Sequence, residues 1–344
     1  MFDLNKIVRE NVKNLTPYSS ARDEFTGKTG IFMDANENPY GNLNRYPDPY
    51  QRELKSSISK IKGVDEDKIF IGNGSDEIID LCYRIFCNPG IDKVLTFTPT
   101  YGMYDVSAAV NDVKTIKVAL TKNFQLDLEK TKPLFSDSNL KLIFICSPNN
   151  PTSNAMNYSD IEDILGTFHG IVVIDEAYID FSEKPSFLSL VNRYPNLVVM
   201  HTFSKAFGLA AARVGIAFSN PDIIKYFNKV KPPYNVSTIN QKAVLNKLKN
   251  MQAVKSQVIR IKKERERLSA ILPEIKVVET VYPSDANFLL VKVKNANDIY
   301  NRLVTMNIIV RNRNAVIGNC LRITIGKRSE NDKLIDAFNE IAKI

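Results

Sequence analysis

Tryptophan is absent from this 344-residue chain, and histidine occurs only twice, as His169 and His201. The four cysteines, Cys82, Cys87, Cys146 and Cys320, form no CxxC pair and meet no His-rich spacing, so no metal site is expected. They lie in or beside apolar runs and read as buried free thiols. No apolar stretch approaches the roughly 20 residues that cross a bilayer. The opening residues carry acids and amides where a secretory signal would have its apolar core. A cytoplasmic protein without a membrane partner is therefore expected. Internal repeats, low-complexity tracts and long Gly or Ser linkers are also missing.

What is present is a hydrophobic fraction of 44%, enough for a large core and, at this length, for two domains. The formal charge of +8 raises the question of a polyanionic partner. The densest basic cluster, residues 255–267, is framed by Val254, Val258, Ile261, Leu268 and Ile271 at near-helical spacing, with acids among the bases. A solvated helix face has that pattern, and it argues against a nucleic-acid partner.

Helical and strand patterns alternate from about Asp48 to about Lys231, which predicts an α/β fold with a largely parallel sheet flanked by helices. Asp48 and Pro49 should cap a helix that presents Leu54, Ile58 and Ile61 and stops at Gly63. Residues 68–71 read as a strand. The runs 94–97, 142–146, 171–174 and 197–200 lack polar alternation, as strands buried on both faces do. Ser159 and Glu162 suggest a capping box. After about Asn240 the pattern changes to one long charged helix, strands at 277–281 and 288–293, a helix at 296–306, strands around Ile308 and Leu321, and a last helix capped by Ser329. The expected division is an N-terminal arm, 1–30, a large domain, 31–240, and a smaller α+β domain, 241–344.

Ligands of open α/β sheets sit beyond the carboxyl ends of the strands, so polar residues there are the candidates. Gly72-Asn73-Gly74-Ser75-Asp76-Glu77 turns from a strand into a helix, where free amides suit an anion; Glu77 breaks the dinucleotide pattern GxGxxG, and a plain tight turn capped by Ser75 fits equally. Tyr101 follows the next strand and could lie on a planar ring or in the core. Asn149 and Asn150 stand between prolines, as a fixed hydrogen-bonding pair or an ordinary turn. Asp175 ends a buried strand and needs a cationic partner; a protonated pyridine nitrogen would serve, with Tyr178 close by. A magnesium site of the Walker type is the competitor, but no GxxxxGK[ST] accompanies it. Lys205 stands past a central strand in His201-Thr202-Phe203-Ser204-Lys205, eight residues before Arg213. Burial would lower its pKa and make it a nucleophilic amine, while an isolated lysine there could simply reach solvent. Together, in this order, these are the parts that bind pyridoxal 5'-phosphate.

The wording of these segments resembles the fold type I aminotransferases, and specifically the histidinol-phosphate aminotransferase family, over nearly the whole chain. The matching segments include NLTPY at 14–18, NENP at 36–39, RYPD at 45–48, GNGSDE at 72–77, CSPNNPT at 146–152, DEAYIDF at 175–181, FSKAFGLAAAR at 203–213 and CLRITIG at 320–326. The resemblance implies that Lys205 carries the cofactor and moves a proton at the substrate α-carbon. It further implies that Asp175 holds the ring nitrogen, Asn150 and Tyr178 the ring oxygen, and Tyr101 the ring face. Ser75, Asp76, Ser204, Arg213 and Thr202 would hold the phosphate. Tyr46 would reach the cofactor of a second subunit in a homodimer. Tyr18 from the neighbour, Asn36, Arg322 and Arg311 would meet the substrate. The implied reaction moves the amino group of glutamate to imidazole-acetol phosphate, giving histidinol phosphate and 2-oxoglutarate. Threonine-phosphate decarboxylases share the motifs, and aromatic amino acid aminotransferases share the reaction class. A basic nucleic-acid-binding or regulatory protein would need a DNA-binding element for which no segment is long enough. Ser153, Ala211 and Ala212 depart from the family wording without removing a functional group.

Overall fold

The computed structural model describes residues 2–19 and 30–343. The first main helix, α1 (Arg52–Lys62), ends at Gly63, whose φ of +67° explains why glycine stops it there. The Asp48 carboxylate does accept the Arg52 N–H at 2.7 Å, but the residue directly preceding the helix is Gln51.

The larger sheet contains β1 (Ile69–Gly72), β2 (Lys93–Thr98), β3 (Lys114–Ala119), β4 (Leu140–Cys146), β5 (Ile171–Asp175), β6 (Leu197–Thr202) and β7 (Gly215–Ser219). Their spatial order is β1-β7-β6-β5-β4-β2-β3. The β2/β3, β2/β4, β4/β5 and β5/β6 pairs are parallel, while β7 is antiparallel to both β6 and β1. Thus β7 alone runs against the others. The apolar runs are these central strands, and every residue of β1, β5 and β6 is buried. Two strands were not anticipated. In β3 at the sheet edge most residues are at least partly exposed and two are lysines, and β7 is a short run that includes Gly215 and Ala217.

Helices α2 (Gly74–Phe86), α3 (Met103–Val110), α4 (Tyr158–Thr167) and α5 (Pro221–Val230) connect or flank these strands. The expected capping box at Ser159 is corrected. The helix begins earlier, after Asn157, so Ser159 lies inside its first turn, where its hydroxyl cannot serve the N-terminal amides. Ser75 likewise lies inside α2, which starts after Asn73.

The expected single charged helix is two, α6 (Thr238–Leu248) and α7 (Met251–Ile271). Asn250 separates them and accepts the Ala253 N–H at 3.1 Å, so a cap interrupts what the charge pattern showed as continuous. Val254 and Val258 of α7 join the core of the large sheet, whereas Leu268 joins the core of a second, four-stranded antiparallel sheet. Its order is β10 (Arg311–Asn312), β11 (Cys320–Thr324), β9 (Phe288–Val293), β8 (Val278–Val281). The strand expected at Ile308 begins instead at Arg311, after the turn that follows α8 (Ala296–Thr305). The last helix, α9 (Arg328–Ile341), starts before Ser329; the Glu330 carboxylate accepts the Lys327 N–H at 2.7 Å. All four cysteines are free and buried. Among the described residues no helix is long and apolar enough to cross a membrane, and no cluster of metal-ligating side chains occurs.

Candidate active site

The parallel strands β2, β4, β5 and β6 end at one edge of the large sheet, and β1 ends there too, since it and β6 are both antiparallel to the β7 strand between them. Because β7 is reversed, its beginning lies at that same edge, and Arg213 just precedes it. A cavity of about 240 Å³ opens there; Ser75, Asp76, Tyr101, Asp175, Lys205 and Arg213 line it. Asn150, Tyr178, Thr202, Ser204 and Arg322 complete the candidates on its wall.

One end is an anion cradle. Gly74 has a φ of +76°, and a Cβ there would stand 2.7 Å from Arg213 Nη2, so both the turn and the approach of Arg213 require glycine. Arg213 Nη2 lies 3.1 Å from Asp76 Oδ2, which orients the guanidinium beside the first turn of α2. The amides of that turn have no intrahelical acceptors and carry the positive end of the helix dipole. Thr202 Oγ1 accepts the Ser204 N–H at 3.1 Å and fixes the turn out of β6.

The other end is an acid and an amine. Asp175 is buried and forms no salt bridge among the described residues. Burial pushes its pKa up, against the hydrogen bonds from Tyr104 and the Ala177 N–H. The open cleft leaves the Lys205 side chain accessible, but its amine is still partly desolvated. Desolvation lowers its pKa, and Arg322 and Arg213 push the same way against Asp175 and Asp76. Lys205 Nζ lies 5.6 Å from the centre of the Tyr178 ring.

The paired amides have separate tasks. Asn149 is fully buried; its Nδ2 donates to Pro99 O at 2.9 Å and to Thr152 Oγ1 at 2.7 Å, and its Oδ1 accepts the Thr100 hydroxyl at 2.8 Å. It locks two strand-end loops together. Asn150 faces the cavity, and its Oδ1 accepts from Arg322 Nη1 at 2.6 Å across the gap between the two sheets. Arg311 pairs directly opposite Arg322 in the β10/β11 ladder but is exposed and does not line the cavity.

A model of the family described as aminotransferase class I and II matches residues 31–338. The chain belongs to this family. A histidinol-phosphate aminotransferase of Parabacteroides distasonis is 52% identical to it over 99% of each chain. A crystal structure of histidinol-phosphate aminotransferase from Sinorhizobium meliloti in complex with pyridoxal-5'-phosphate is similar with a TM-score of 0.81 and 25% identity, over 90% of each chain. The histidinol-phosphate aminotransferase structure from Clostridium acetobutylicum also gives 0.81, with 27% identity over 88% of this chain and 92% of that one. The large, mostly parallel sheet with a smaller α+β part is the fold type I aminotransferase architecture expected from the sequence.

Besides Arg311, three candidates do not line this aminotransferase's cavity within one protomer. Tyr46 stacks on Tyr234 with ring centres 4.5 Å apart. With Asn36 it lines a separate, wider cleft of about 730 Å³, formed largely by residues 35–48. Tyr18 projects into solvent with 71% of its surface exposed. Conversely, sequence reasoning assigned no role to two groups that shape the site. Tyr104 donates its hydroxyl to Asp175 Oδ2 from the first turn of α3, and its closeness in sequence to Tyr101, just before that helix, is the available signal. Asn235 donates to Ile71 O at 2.9 Å and to Glu77 Oε2 at 2.8 Å, while Glu77 also accepts the Asn73 N–H. The acid that broke the dinucleotide pattern therefore braces the cradle, and no local signal marks Asn235 as its partner.

Proposed function

We propose that this aminotransferase uses pyridoxal 5'-phosphate to move the amino group of glutamate to imidazole-acetol phosphate, giving 2-oxoglutarate and histidinol phosphate, a step of histidine biosynthesis. The observation that carries the reading is the convergence of Lys205, buried Asp175 and the Gly74–Arg213 cradle on one cavity. The fit to the cofactor is chemical. A buried carboxylate with a raised pKa calls for a cationic ring nitrogen, and the glycine-shaped cradle calls for a dianion. When bound, the cofactor supplies an aldehyde that takes up amino groups and a ring that withdraws electrons from the substrate α-carbon.

The chain's own residues do the rest. Lys205 would attach the cofactor. Once freed as an amine of lowered pKa, it takes the proton from the α-carbon of glutamate in one half-reaction and delivers one to the α-carbon of the new amine in the other. Asp175 keeps the ring nitrogen protonated. Tyr178 and Asn150 hold the ring oxygen, and Tyr101 covers the ring face. Ser75, Asp76, Thr202, Ser204 and Arg213 hold the phosphate, Asp76 through its amide and its grip on Arg213. Arg322 and Arg311 receive the anionic end of the substrate.

The reading includes a homodimer with shared sites. Ile31, Met33 and Tyr40 are 92%, 89% and 83% exposed, and so large an apolar display calls for a partner surface. In that dimer Tyr46 reaches the partner's phosphate site and Tyr18 and Asn36 the substrate site. We assign residues 1–30 to an arm, 31–240 to the large domain and 241–344 to the small one, and place the enzyme in the cytoplasm.

A substrate panel with glutamate as donor tests the assignment. Imidazole-acetol phosphate should be the preferred acceptor over phenylpyruvate. Release of carbon dioxide from threonine phosphate, with no transamination, would replace the assignment by a decarboxylase.

A further inference from the structure

The β10/β11 ladder carries more positive charge than a carboxylate subsite needs. Arg311 sits opposite Arg322 in antiparallel register, so the two side chains leave the sheet on one face. The Arg313 N–H donates to Cys320 O at 2.9 Å, which continues the pairing one step further. Two residues beyond Arg311, Arg313 returns to that same face.

Arg313 is half-buried there, and its Nε is enclosed by protein without a hydrogen-bond partner among the described residues. Arg322, Arg311 and Tyr178 all lie near enough to act on its charge. Burial and the two neighbouring guanidiniums hold the Arg313 pKa below the usual arginine value, and Arg322 is held down by burial and by Arg311. None of the three arginines forms a salt bridge among the described residues. The cluster gains most when an anion arrives, since clustered cations without a counter-charge are unfavourable.

We propose that Arg313 is a third guanidinium of the substrate-anion subsite and that it selects a phosphate dianion over a carboxylate. This rests on the function proposed above. A carboxylate offers one charge and two oxygens, which a single guanidinium fork satisfies. A phosphate monoester offers a third terminal oxygen and nearly a second charge, and only a further donor uses them.

The test compares Arg313→Gln and Arg313→Lys with wild type in the two half-reactions separately. The glutamine variant should raise the KM for histidinol phosphate about tenfold or more, with a much smaller rise for glutamate, and lysine should recover part of the loss. Inorganic phosphate, used as a competitive inhibitor of the glutamate half-reaction, should weaken in parallel. Equal losses for both substrates, or no loss, would overturn the assignment; the lysine variant settles the matter if the glutamine variant does not fold. Should wild type fail to use histidinol phosphate at all, the proposed function falls, and the inhibition by inorganic phosphate then decides the role of Arg313 alone.

Discussion

Tyr104 donates its hydroxyl to Asp175 Oδ2 at 2.8 Å, and both groups are buried. The bond favours the charged carboxylate against the burial that disfavours it. Tyr104→Phe should therefore leave Asp175 more easily protonated and a weaker partner for a ring cation. Cofactor affinity should fall roughly 5- to 30-fold, the equivalent of about 1–2 kcal/mol for a lost hydrogen bond to a charged group. Titration of the apoenzyme with pyridoxal 5'-phosphate reads this, and an unchanged dissociation constant would refute it.

Lys205→Ala should abolish covalent attachment. Borohydride reduction followed by peptide mass spectrometry should find the label on Lys205 in wild type and nowhere in the variant. A label on another lysine would remove the basis of the proposed chemistry.

The lowered pKa of Lys205 has a definite sign. Its neutral, nucleophilic form is populated at lower pH than for an ordinary lysine, so the rate of cofactor attachment should level off below the usual lysine value of 10.5. After desolvation, Arg322 is the largest cause of that shift. Arg322→Gln should therefore move the limb of the pH profile upward as well as weaken substrate binding. A weakened KM with an unmoved profile would show that Arg322 does not act on the lysine.

Lys55 is a separate case, far from the chemistry. It is buried in α1, and desolvation, with Lys231 adding to it, lowers its pKa from 10.5 to about 8. The folded state is thus penalised in full below about pH 8, and the penalty disappears as pH rises to 10.5. Lys55→Met should stabilise the protein at pH 7 by roughly 1–3 kcal/mol, with the gain vanishing near pH 10.5. Melting curves at both pH values check it; a gain independent of pH would point to packing instead.

If Tyr46 serves the partner's site, two inactive variants should complement one another. Mixing Lys205→Ala with Tyr46→Ala under conditions of subunit exchange should restore activity, because one site of each mixed dimer then holds both native residues. Failure to recover activity, with exchange demonstrated, would place Tyr46 in its own protomer's chemistry.

The sequence was most legible where burial is complete. The runs in β4, β5 and β6 could only be central strands, and the polar residues at their ends line the cavity. It was least legible where two neighbours share a residue type. Asp175 and Glu176 are adjacent acids, yet the first faces the cavity and the second turns away to His201 Nε2 at 2.7 Å and the Phe187 N–H at 2.8 Å. Asn149 and Asn150 divide in the same way, and only three-dimensional partners tell latch from ligand. Helix starts at Ser159 and Ser329 were misplaced because a good capping residue near a helix end need not be the cap. The roles of Tyr104 and Asn235 are set by partners 71 and 158 residues away, which no local pattern encodes.

Arg265 of α7 is buried and donates to Phe181 O at 3.2 Å and Ala286 O at 2.7 Å, a loop after β5 and the approach to β9. One guanidinium thus rivets both lobes to the helix that runs beneath them. Neither lobe can loosen without stranding that cation, so calorimetry should record a single cooperative endotherm for the whole polypeptide.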